Sequence, residues 1–232
     1  MELLGFGPQG WGLPLLIAAG ITLAAAICGF LLGSLLGICG ASLKLARSRL
    51  SRWIGHVYAA VFRSIPEILV VYLFYFGGSV VLTKAMNLGD LPGFYSLPSF
   101  AIGVIAIGVV SGAYQTEAYR SAYLRLDRGQ IEAGAACGMP KLILLRRIIA
   151  PQTLRVALPT LGNIWQSALK ETSLLSVIGL VELLRQAGTA AGSTREPLLF
   201  YATVAVMFLV IGRITGLVLT RMERRLAKPW SH

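Results

Sequence analysis

LPLLIAAGITLAAAICGFLLGSLLGICGA, residues 13–41, contains no Asp, Glu, Lys or Arg. An α-helix needs about 20 apolar residues to cross the hydrocarbon core of a bilayer, so this stretch reads as a membrane span. Gly29, Gly33 and Gly37 recur within it at every fourth position. Such a stripe of small residues lets two helices approach closely, and it reads as a packing face. A secretory signal would be shorter and would follow a basic residue. This run has no Lys or Arg before it and a basic loop after it, so a retained helix is expected.

The rest of the chain has the same character. Of its 232 residues 56% are hydrophobic and 13% charged, where a soluble domain carries roughly a quarter charged residues. Mean hydropathy is +0.72. Further spans are expected near 57–82, 98–118, 158–180 and 198–219, with Ile65-Pro66 kinking the second near its start. The expected fold is an all-α membrane protein with five transmembrane helices in one domain covering residues 1–232.

Charge sets the orientation. The formal net charge is +11, and its excess lies in alternate loops. Lys44, Arg47, Arg49 and Arg52 follow the first span. Arg120, Arg125, Arg128, Lys141, Arg146, Arg147 and Arg155 crowd the third connection against Asp127 and Glu132, and Arg221, Arg224, Arg225 and Lys228 follow the last span. On the other side Lys84 balances Asp90, and Glu182 and Glu196 balance Arg185 and Arg195. Basic loops stay cytoplasmic, so the N-terminus is expected outside and the C-terminus inside, which an odd number of spans requires. The basicity is therefore a topology signal. Nucleic acid is not an expected partner, because no basic segment outside the spans is long enough to fold alone.

Several chemistries are disfavoured. Cys28, Cys39 and Cys137 form no even disulfide set, and His56 and His232 are the only histidines, so no metal site is expected. No Gly-Lys pair exists, hence no phosphate-binding P-loop and no ATP hydrolysis by this chain. No catalytic residue is assigned.

The third connection, about 119–156, is the longest interior segment. It holds Glu132-Ala133-Gly134, Gly138 four residues beyond, and then Ile148 and Pro151. Small side chains at Ala133, Ala135, Ala136 and Gly138 would present a smooth knob able to enter a partner's cleft, and Gly138-Met139-Pro140 would turn the chain. An amphipathic helix lying on anionic lipid explains the arginines but not the Glu-Ala-Gly and Gly spacing.

This pattern resembles the cytoplasmic signature of ABC-importer permeases, Glu-Ala-Ala, three residues, Gly, nine residues, Ile, one residue, Leu-Pro. Gly134 replaces the second Ala and Ala150 the Leu. Over roughly residues 57–226 the chain also resembles the polar-amino-acid permeases of the histidine, lysine-arginine-ornithine and opine type. The matching stretches are Phe62-Arg63-Ser64-Ile65-Pro66-Glu67, Gly112 to Arg120, Leu158 to Asn163, Leu169 to Leu174, and Ser193 to Pro197. The resemblance implies the type I ABC importer permease fold with a cytoplasmic coupling helix. It assigns ATPase coupling to Glu132, Ala133, Gly134, Ala135, Ala136 and Gly138. It also implies two copies of an ATP-binding subunit carrying ATP and Mg, a sister permease (a heterodimer, with a homodimer as the alternative), a periplasmic binding protein, and residence in the bacterial inner membrane among its lipids. This chain itself would hold no cofactor.

Charges inside a membrane are costly and face protein, water or a partner. Glu67, Glu117, Lys170, Glu171 and Arg213 are such residues. Asn163, Gln166, Lys170 and Ser173 share one helical face by spacing, and a translocation path is expected along it. For a cationic passenger Glu67 supplies the counter-charge, with Glu117, Asn163, Gln166, Thr172 and Ser173 as further path residues. Arg63 with Glu67 and Glu117 with Arg120 are alternative structural ion pairs by their spacing. Lys170 and Glu171 point to different faces. The expected function is import of a polar, basic amino acid or an opine. The alternative is an ion-gradient-driven secondary transporter using Glu67 and Glu117, against which five spans and the absence of an evident inverted repeat both count.

Overall fold

The computed structural model describes residues 2–7, 10–88, 93 and 95–227. Every regular element among them is helical. Four helices are long and apolar enough to cross a membrane, or five if one bent pair counts as a single span. Residues 89–92, Asp90 among them, lie outside the described residues, as do Lys228 and His232.

Helix α1 (Gly12–Leu45) has 34 residues and so measures about 51 Å, well beyond a hydrocarbon core of about 30 Å. It lies along α5 (Ser99–Leu124) in the most extensive helix contact of the chain. The glycine stripe makes this possible. A Cβ on Gly29 would stand 2.7 Å from Ile107 Cγ2, and one on Gly37 would stand 2.7 Å from Gln115 Cβ. Gly40 extends the same face onto Thr116. Gln115, fully buried, donates to the Phe30 carbonyl at 3.1 Å and to Ser111 Oγ at 2.9 Å, so its amide is satisfied inside the interface.

The second apolar segment differs from the expected 57–82. Helix α2 (Arg49–Ser64) is a separate amphipathic helix packed on α1 through Gly55. Ile65 and Pro66 are both extended, with ψ of 134° and 132°, and α3 (Glu67–Tyr72) starts only after them. Proline pushes its predecessor out of the helical region, so the pair breaks the helix where a kink was expected. From α3 the chain continues through a π turn at Leu73–Gly77 into α4 (Gly78–Leu88). The membrane-length helix of this segment is Glu67–Asn87. Tyr58 of α2 donates to the Val109 carbonyl of α5 at 2.8 Å.

After α5 comes a short helix, α6 (Arg128–Ala136). A long helical element follows, composed of α7 (Lys141–Leu144), a π turn at Leu145–Ile149 and α8 (Ala150–Glu171), and it ends in a 3-10 turn at Thr172–Ile178. Gly179, at φ 88°, terminates it. This element runs well N-terminal of the expected 158–180. The loop expected after it contains helix α9 (Leu183–Thr194), bent by 52° from the preceding helix. Gly188, Gly192 and the Ser/Thr residues give 183–194 a weak helical propensity. Burial of Leu183, Ala187 and Ala190 against Leu15, Phe200 and Val204 outweighs it. Glu182 caps this helix, its carboxylate accepting from the Leu184 and Arg185 amides at 2.8 Å each. Helix α10 (Pro197–Ala227), the last described element, packs on α8 and α9.

Candidate functional site: a carboxylate-lined cavity and a coupling hairpin

About halfway along α5, at the level of Ser111 and Tyr114, helices α3, α5 and α8 line a cavity of about 250 Å³. The break at Ile65-Pro66 makes Glu67 the first residue of α3 and delivers it here. Irregular backbone is tolerated within a membrane protein where protein buries it or where it lines a cavity. Ser111 and Tyr114, one turn apart on α5, form a second wall. Thr160, Asn163, Ile164, Ser167 and Glu171 form the third, stacked on one face of α8. Glu67 and Glu171 also line a narrow adjoining recess with Val71, Ala106 and Leu174. Two carboxylates, three aliphatic hydroxyls, a phenol and an amide line the main cavity, and among the described residues no Lys or Arg does. Ionised carboxylates only accept, so the arrangement favours a cationic group rich in N–H donors.

The polar face expected on α8 divides in two. Asn163 belongs to the cavity with Glu67. Gln166 and Lys170 turn instead toward α10, where they line a second cavity of about 380 Å³ with Phe208, Gly212 and Arg213. The Gln166 side chain donates to the Gly212 carbonyl at 2.9 Å. With 3.6 residues per turn, Asn163 lies on the seam between the faces, and its three- and four-residue neighbours fall to either side. Lys170 and Glu171 do point apart. Thr172 is fully buried and Ser173 lies in the 3-10 turn. Their hydroxyls donate to the Leu169 and Lys170 carbonyls at 2.7 Å each, and neither lines either cavity.

Glu117 stands one turn beyond Tyr114 on α5, outside the cavity, among three cations. Lys44 from the end of α1 is ion-paired with its Oε1. Arg120 approaches Oε2 at 3.0 Å, and Arg63 of α2 reaches Oε1 at 3.9 Å. The Arg63 guanidinium also covers the Tyr114 ring, 5.5 Å from its centroid. Of the two ion pairs expected from spacing, Glu117 with Arg120 forms. Arg63 pairs with Glu117 rather than Glu67, because the extended residues between them remove the helical turn that would have aligned the pair. Sequence reasoning did not anticipate Lys44. Its only signal is its place as the first charge after the apolar run, on the side that the glycines bury.

The third connection is a compact hairpin. Asp127 caps α6 by accepting from the Gly129 amide at 2.9 Å. The helix ends with Gly138 at φ 75°. The Gly138 amide donates to Ala135 O at 3.0 Å and the Met139 amide to Gly134 O at 3.1 Å, the two bonds of a Schellman termination. Glu132, Ala133, Ala135, Ala136 and Gly138 are exposed, while Gly134 is buried. A Cβ on Gly134 would stand 2.6 Å from Leu144 Cδ1 and 3.0 Å from Ile148 Cδ1. The glycine that departs from the signature thus lets α7 and the π turn close onto α6. Ile148, a signature residue, is one of the side chains it receives.

Comparison with known proteins bears on the family and the fold. Residues 29–228 match the family described as binding-protein-dependent transport system inner membrane component. The chain is 49% identical over 224 residues to the octopine transport system permease protein OccQ of Agrobacterium tumefaciens, covering 97% of this chain and 94% of that protein. It is 35% identical over 208 residues to the histidine/lysine/arginine/ornithine transport system permease protein HisQ of Escherichia coli, covering 88% and 90%. Among solved structures, an amino acid ABC transporter crystallised with histidines superposes with a TM-score of 0.75 at 30% identity, covering 91% of this chain and 94% of that one. None of these supports a gradient-driven secondary transporter. The helical fold, the hairpin signature and these matches show that the chain belongs to the inner-membrane permease components of binding-protein-dependent ABC importers.

Proposed function

We propose that this permease passes a cationic amino acid or a guanidinium-bearing opine through the cavity that Glu67 and Glu171 line. The observation that carries the reading is the convergence of two carboxylates from separate helices, with Asn163, Ser111, Ser167 and Tyr114 around them and no lining cation among the described residues. A carboxylate bonded to a guanidinium forms a strong, directional pair. The relatives' names, octopine and histidine/lysine/arginine/ornithine permeases, point to the same substrate class. Gln166, Thr172, Ser173 and Glu117 act around this path by holding α8, its 3-10 turn and α5 in place.

The N-terminus faces the periplasm and the α6 hairpin faces the cytoplasm, in keeping with the basic residues of the first and third connections. Glu132, Ala133, Ala135, Ala136 and Gly138 dock into an ATP-binding subunit, and Gly134 holds the hairpin closed behind them. The working complex contains two ATP-binding subunits using ATP and Mg, a sister permease that makes a heterodimer, and a periplasmic binding protein that delivers the substrate.

The test is ATPase activity of the reconstituted complex with its binding protein and a panel of amino acids. Stimulation by arginine, lysine, histidine or octopine, weakened by Glu67→Gln while assembly survives, is the expected result. Stimulation by glutamine or glutamate alone would discard the substrate class. Uptake that follows an ion gradient without ATP would discard the mechanism.

A further inference from the structure

We propose that Arg63 is a latch that closes the Glu67 cavity on its α6 side and opens by leaving Tyr114. The inference rests on the function and orientation proposed above. Tyr114 is the last α5 residue to line the cavity before Glu117. Its side chain lines the cavity, and its ring carries the Arg63 guanidinium at 5.5 Å from the centroid. The same guanidinium reaches Glu117 at 3.9 Å, one turn nearer α6. Arg63 therefore sits where a cation leaving Glu67 toward the cytoplasm would have to pass, and its charge repels that cation.

The latch is weakly held. Glu117 is already engaged by Lys44 and, at 3.0 Å, by Arg120, so Arg63 is the most distant of its cations. The Arg63 side chain is 43% exposed, and ion pairs and cation–π contacts of that exposure contribute little. It stands in the last turn of α2, with only Ser64 between it and the extended Ile65 and Pro66. That break lets the end of α2 shift without carrying Glu67 and α3 with it. The other two cations leave Glu117 in place on α5 when Arg63 departs, so the node survives opening.

The experiment uses the whole complex in proteoliposomes loaded with radiolabelled arginine, with efflux followed in the absence of ATP. Arg63→Ala is expected to raise the leak about five- to tenfold, the factor corresponding to loss of one weak ion pair and one exposed cation–π contact. Tyr114→Leu is expected to do the same without touching the Lys44 and Arg120 pairs. Arg63→Lys restores the charge but not the planar stack, and should recover part of the seal. A residue with only a structural role would lower assembly or melting temperature without raising the leak. Variants as tight as the parent overturn the latch, and if Arg63→Ala does not assemble, Tyr114→Leu decides alone. Binding-protein-dependent uptake of arginine by the parent complex reports the proposed function separately. If lysine or histidine is the one transported, it replaces arginine in the efflux measurement.

Discussion

Lys44, its side chain 4% exposed at the end of α1, is ion-paired with Glu117 of α5, 24% exposed. The two partners are not equivalent. Glu117 keeps Arg120 when Lys44 is removed, whereas Lys44 has no other acidic partner among the described residues. Removing one member of a buried pair costs about 3–5 kcal/mol when the remaining charge is left uncompensated. Glu117→Ala should therefore lower the melting temperature of the purified protein more than Lys44→Met does. Equal shifts would show that Lys44 reaches solvent.

The contact of α1 with α5 gives a second prediction. Gly37→Leu places its Cβ against Gln115 Cβ, at 2.7 Å in the present geometry, and overpacking of this kind costs about 1–3 kcal/mol or more. Gly20→Ala on the same helix meets nothing within 4 Å and should be neutral or slightly stabilising. Melting temperatures of the two variants in detergent check the pair.

The hairpin offers a graded test of coupling. Gly134→Ala pushes against Leu144 Cδ1 and Ile148 Cδ1, both far ends of flexible side chains, and should be tolerated. Gly134→Leu should pry α7 from α6 and abolish substrate-stimulated ATPase activity while membrane insertion is preserved. Gly138→Ala strains a left-handed position and should cost about 1 kcal/mol. Stimulated and unstimulated ATPase rates of the assembled complex distinguish the three.

Glu171→Gln should weaken stimulation by arginine, because it removes one of the two carboxylates of the cavity. Charge-assisted hydrogen bonds are worth about 1.5–3 kcal/mol, so the half-maximal arginine concentration should rise by at least about tenfold. Lys170→Gln, which lines the α10 cavity instead, should leave that concentration nearly unchanged. The reverse ranking would place the substrate between α8 and α10.

Much of the hairpin is legible in the order of its residues, because its interactions are local. The Glu-Ala-Gly spacing, the turn at Gly138-Met139-Pro140 and Ile148 all fall within a few helical turns, where sequence distance and spatial distance agree. Local spacing likewise pairs Glu117 with Arg120. It suggests Glu67 for Arg63, and Pro66 makes that partner unreachable by straightening the chain between them.

That the chain is a membrane protein of α-helices follows from its apolar runs, since segments of spanning length leave the backbone no other way to satisfy its hydrogen bonds. The close-packing face of α1, the hairpin and the set of residues available for a charged path are equally written in the linear order. Which of those residues meet is a property of the folded bundle. Glu171 joins Glu67 while Gln166 turns to α10, Lys44 reaches Glu117, and Arg63 comes to cover Tyr114. Those pairings depend on how helices distant in sequence cross and on where one of them breaks. A periodic pattern along a single helix contains neither.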